Sequence, residues 1–160
     1  MNKESAMNFE DFASITGRRY DYAMGIDTHD FELLRSVFAE EIVMDFEDYS
    51  RKPSEKLRAD AWVESCKPLF LGLTSTQHVM TNPVVKVFGD TATCRMYMQA
   101  EHFLETEKGL ESYVLGGYYL DKLVRSGGRW FITGVTLKLF WTRGNRDIMK
   151  AATLIGQSKL

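Results

Sequence analysis

Residues 91–104 read Thr91-Ala92-Thr93-Cys94-Arg95-Met96-Tyr97-Met98-Gln99-Ala100-Glu101-His102-Phe103-Leu104, and their two-residue rhythm decides the fold. Ala92, Cys94, Met96, Met98, Ala100 and His102 fall on one face. Thr93, Arg95, Gln99 and Glu101 fall on the other, with Tyr97 and Phe103 among them. Alternation over so long a run predicts a strand buried on one side. Upstream, Gly89-Asp90 predicts a turn from a strand at 84–88, itself joined to 75–80 by Thr81-Asn82-Pro83. Downstream, 112–125 predicts the next strand, with Gly116-Gly117 suited to a bend or a close approach. Ser126-Gly127-Gly128 then predicts a hairpin into 129–141, whose apolar face reads Phe131, Val135, Leu137, Leu139 and Trp141.

The first half of the chain has a different period. From Asn8 to Gly25 the pattern is helical: Phe12, Ile15, Tyr22 and Ile26 fall within an arc of about 80° at about 100° per residue. Asp27-Thr28-His29-Asp30 breaks that helix and caps a second over 31–39. A short strand at 42–46 follows, then a third helix over 54–70 with Ser54 as its cap. Helices first and hairpin-linked strands after predict an α+β domain, a curved antiparallel sheet forming a cone with the N-terminal helices on its concave face. The expected extent is one domain over 1–160, with a core at 8–145 and 146–160 as a tail or a short helix; Met149 to Leu160 either closes the cone or serves as an interface arm.

At 160 residues with net charge −2, the chain carries no electrostatic footprint for nucleic acid. Its 44% hydrophobic and 26% charged content excludes disorder and coiled coil. No apolar run is long enough for a membrane span. The acidic start, MNKESAMNFEDF, lacks the apolar core of a leader, and the two cysteines stand far apart, so a reduced cytoplasmic protein is expected. Ten Phe, seven Tyr, three Trp and eight Met suit either a bulky core or the lining of a pocket for a flat apolar ligand.

Three histidines are the candidates for chemistry. His29 lies in a polar break and reads as exposed. His78 and His102 lie on strands, where a hydrogen-bonded core histidine is the alternative to a catalyst. A catalytic histidine needs a carboxylate to fix its tautomer, and Asp27, ending an amphipathic helix that packs on the sheet, is the best placed; capping the next helix is its other possible task. Tyr22 shares that helix's core-facing arc and needs a partner for its hydroxyl. Met96, Met98, Tyr118, Val135, Leu137 and Trp141 are the candidate substrate-binding wall. No short-spaced metal ligands, phosphate loop, dinucleotide fingerprint or nucleophile elbow is present, so no cofactor and no metal are expected.

The order of these pieces resembles the SnoaL-like branch of the nuclear transport factor two-like cone fold over most of residues 8–145. The carriers are Arg19-Tyr20 ahead of Asp27, the run from Asp27 to Glu40, "TQHVMTNPVVKVFGDTATCRMY" at 76–97 and "GGRWFIT" at 127–133. The resemblance implies an Asp–His pair at Asp27 and His78, a polar helper at Tyr22 and a second histidine at His102, as in the family's dehydratases and dehydrochlorinase. It implies a lyase or isomerase without a cofactor, of dehydratase or carbon–carbon lyase type, acting on a small apolar aromatic or polycyclic molecule in a homodimer or homotrimer. The family's non-catalytic members make a ligand-binding or assembly module the alternative. Three departures set the chain apart. Val135 stands where the dehydrochlorinase has Arg, Ala100 where bile-acid dehydratase has an additional Asp, and 114–119 lacks the Ser and Asn of scytalone dehydratase. Fewer charges around the leaving group suit a neutral substrate.

Overall fold

A computed structural model describes residues 8–160; residues 1–7, on which part of the leader reading rests, lie outside the described residues. Helix α1 (Phe9–Asp27) starts at Asn8, whose side chain accepts from the Asp11 N–H at 2.8 Å. Helix α2 (Phe31–Ser36) is capped as expected by Asp30, which accepts from the Leu33 N–H at 2.9 Å. Strand β1 (Phe38–Asp45), short helix α3 (Glu47–Ser50), strand β2 (Glu55–Arg58) and helix α4 (Ala59–Gly72) follow. Four long strands, β3 (Ser75–Phe88), β4 (Thr91–Thr106), β5 (Gly109–Ser126) and β6 (Arg129–Gly144), precede helix α5 (Asp147–Gln157). No helix among the described residues is long and apolar enough to cross a membrane.

The strands form one sheet in the order β2-β1-β6-β5-β4-β3, antiparallel throughout except for the parallel pair β1–β6. One face of β4 is buried from Ala92 to His102, as its alternation predicts. Gly127 and Gly128 both take positive φ (55° and 75°), which the two-residue hairpin between β5 and β6 requires.

Several boundaries and one strand face differ from the sequence reading. Helix α2 ends at Ser36, and the chain is already extended from Phe38 to pair with β6. The expected helix over 54–70 begins only at Ala59. Residues 55–58 instead pair with β1, and Ser54 caps nothing. Thr81-Asn82-Pro83 is a bulge inside one continuous strand, with Asn82 at φ 54°. On β6 the pairing slips opposite Lys122/Leu123 and again opposite Gly116/Gly117, so the buried series is Trp130 and Ile132, then Val135 and Leu137. Phe131 and Trp141 fall out of that series, and Trp141 is 46% exposed.

Helix α5 is the segment expected as a tail or short helix, and it lies against α4 at a contact only glycine allows. A Cβ on Gly156 would stand 1.7 Å from the Pro68 carbonyl oxygen, and one on Gly72 would stand 1.7 Å from that of Ala152. Gly156→Val is therefore expected to lower stability by about 3 kcal/mol through overpacking, read from denaturant midpoints. An unchanged midpoint would mean that the helices separate at no cost.

Candidate active site

Helix α1 packs against β3, one edge of the sheet, and ends at Asp27. An edge strand leaves backbone groups unpaired, and here the Asp27 carboxylate answers one of them. Its Oδ2 accepts from the His78 backbone N–H at 2.7 Å, and its Oδ1 accepts from the Thr76 hydroxyl at 2.8 Å. The same Oδ1 lies 2.7 Å from His78 Nδ1. The His78 side chain is 3% exposed and that of Asp27 20%. Burial works against the charged form of Asp27, but the bonds from His78 and Thr76 outweigh it and hold the carboxyl below its ordinary value. An ionised carboxylate only accepts, so His78 Nδ1 carries a hydrogen, and Nε2 is the nitrogen left for the cavity that His78 lines.

That cavity encloses about 200 Å³ between the concave face and helices α1, α4 and α5. Ala100 and His102 of β4, Leu115 and Tyr119 of β5 and Leu137 of β6 form its sheet side. Tyr22 of α1, Trp62 and Phe70 of α4, Tyr49 of α3 and Met149 of α5 close it. Tyr22 is 2% exposed, stacks on Trp62 at 5.9 Å and meets the Tyr119 ring at 5.8 Å.

His102 sits edge-on to His78, with ring centroids 5.7 Å apart. Its Nδ1 lies 3.1 Å from the Tyr113 carbonyl and therefore donates, so its Nε2 also can only accept. Burial, and then the neighbouring His78, push the His102 pKa from 6.5 down to about 4. The unfolded chain thus binds a proton between pH 6.5 and 4 that the folded chain refuses. Stability should hold above pH 6.5 and fall by up to about 3 kcal/mol as pH drops towards 4, a loss that His102→Asn should largely remove. Denaturant curves across that window check it, and equal acid slopes in both proteins would clear His102 of the effect.

Of the residues expected at the site, Asp27, His78, Tyr22, His102 and Leu137 meet at or beside this cavity. Met96, Met98 and Val135 are buried but do not line it. Tyr118 and Trp141 are corrected. Tyr118 meets the exposed Phe140 at 5.6 Å, and the Trp141 ring occupies the space a Cβ on Gly116 would fill, so neither lines the cavity. The sequence reading missed Trp62 and Tyr119. Tyr119 shares its β5 face with the buried Asp121 and Leu123, a parity open to the same reading as β4. The exposed His29, at φ 57°, is apart from the site as expected.

The sequence matches the SnoaL-like domain over residues 8–136. It is 28% identical over 138 residues to Dehydratase GME11372 of Pestalotiopsis microspora, covering 81% of this chain and 87% of the relative. Among solved structures, the Kfla4162 protein of Kribbella flavida superposes with a TM-score of 0.83 at 25% identity, over 88% of this chain and 97% of that one. The hexachlorocyclohexane dehydrochlorinase LinA-type3 of Novosphingobium barchaimii superposes with a TM-score of 0.67 at 15% identity, over 86% and 91%. At that identity the last likeness bears on the fold alone.

Proposed function

The chain belongs to the SnoaL-like domain family, and from that premise we propose that it is a cofactor-independent lyase of dehydratase type, acting on an uncharged, ring-containing small molecule. His78 on the wall of an apolar cavity, with Asp27 bonded behind it, carries this reading. His78 Nε2 takes a proton from a substrate carbon, and Asp27 supports the imidazolium that forms. The electron pair left on carbon makes the new double bond as the carbon–oxygen bond opposite breaks. The proton leaves with the departing hydroxyl as water, returned by His78. Burial, and then Tyr119, hold the Tyr22 hydroxyl well above its ordinary pKa, so it serves as a hydrogen-bond donor and not as the proton source. His102, neutral near pH 7, accepts from a substrate hydroxyl.

A cavity of about 200 Å³ suits one substituted ring or two fused ones, since an apolar cavity of about 150 Å³ takes up benzene. The dehydratase name of the 28%-identical fungal relative supports elimination over isomerisation. A histidine bonded to a carboxylate and facing open space supports an enzyme over an assembly module, which needs no cavity and can pack its cone solid with its own rings. The test is a panel of one- and two-ring β-hydroxy ketones, incubated with protein and chelator and followed by mass spectrometry for loss of water. Water loss above the protein-free rate is the expected result; none from any member would count against the reading.

A further inference from the structure

The floor of the cavity is made of two phenol rings, Tyr22 and Tyr119, and one guanidinium serves both. Arg19 is 0% exposed, and its Cζ lies 4.2 Å from each ring centroid. Asp121 takes two of its nitrogens, Nε at 2.9 Å to Oδ2 and Nη2 to Oδ1. Nη1 is buried with no hydrogen-bond partner among the described residues, which leaves the ring faces to meet that corner of the cation. Proton abstraction at carbon does not require a charged pair here, and burying one is costly.

We propose that Arg19, held by Asp121, is a positioning residue that polarises the Tyr22 and Tyr119 hydroxyls into a binding site for a negatively charged substrate oxygen, that of an enolate or phenolate. The proposal rests on reading the cavity as a proton-transfer site, because abstraction of a proton beside a carbonyl places charge on that oxygen. Burial raises both phenols above their ordinary pKa and Arg19 opposes it, so both keep their protons; the Tyr22 hydroxyl donates to Tyr119, which leaves the Tyr119 hydroxyl to donate onward. On Tyr119 the pull of Arg19 exceeds the push of Asp121, so the pair presents its cationic end to the rings. The other titratable groups facing this cluster are Cys66 of α4 and Cys94 of β4. Burial pushes both thiols up to about 12, so they add no charge near neutral pH.

The test uses 4-nitrophenol, whose absorbance reports its own protonation. Bound to the wild-type protein, it is expected to ionise at least tenfold more readily than in free solution. Arg19→Met/Asp121→Leu leaves no buried charge behind and should fold, which circular dichroism checks; it is expected to lose that preference, as is Tyr22→Phe/Tyr119→Phe. The probe reads the binding of a phenolate and not turnover, so failure of the lyase reading leaves its result unchanged. The proposal is overturned if wild type does not bind the probe or shows no preference. It is equally overturned if the folded double variant retains the preference.

Discussion

His78→Ala is expected to leave the fold and thermal midpoint near those of the parent and to lower turnover by about 10²–10⁴, the usual contribution of a positioned general base. The reason is local. His78 touches Asp27, Phe70 and His102, and its removal takes one imidazole from a cavity wall without touching the strand ladder that holds residue 78 in place. Its backbone N–H can still donate to Asp27 Oδ2. Turnover within threefold of the parent on a compound that the parent dehydrates would remove His78 from the chemistry.

The second large effect is on stability. Arg19→Met alone strands the Asp121 carboxylate, 2% exposed, with no cation beside it, and should cost about 3–5 kcal/mol. Adding Asp121→Leu should recover most of that loss, because two apolar side chains of similar volume fill the space without an uncompensated charge. Urea denaturation of the parent, the single variant and the double variant measures the coupling directly. Additive losses would mean that the two groups do not act as a pair.

The fold was legible wherever one period ran unbroken. The β4 alternation and the Gly127-Gly128 hairpin gave the sheet, and the stripe of Ile15, Tyr22 and Ile26 gave α1 its buried side. Reading failed where a distant partner overrode the local pattern. Glu55-Lys56-Leu57-Arg58 looks like a first helical turn and becomes a strand because β1 offers it a ladder. Trp141 was misplaced for a related reason: the slips in β6 reset which side chains face inward, and nothing near 140 announces them. Tyr118 was misplaced against a legible pattern, since Tyr119, Asp121 and Leu123 set the inward parity of β5 and put 118 on the other face. Asp27 and His78 are 51 residues apart, and only the resemblance to a known fold put them together before the structure did. Arg19 carried a sign of its own, since a charged side chain between Ile15 and Tyr22 on an apolar stripe needs a buried partner.

The central claim is that the Asp27–His78 pair moves a proton between an apolar substrate and Nε2. Hydrogen–deuterium exchange tests it without needing the leaving group: a small ring ketone is incubated in heavy water with the wild-type protein and with Asp27→Asn, and NMR follows the C–H beside the carbonyl. The account predicts exchange by the wild type well above the protein-free rate and its loss by about 10²-fold or more in the variant. Equal exchange by both proteins, or none above background with any ketone that binds, would contradict it.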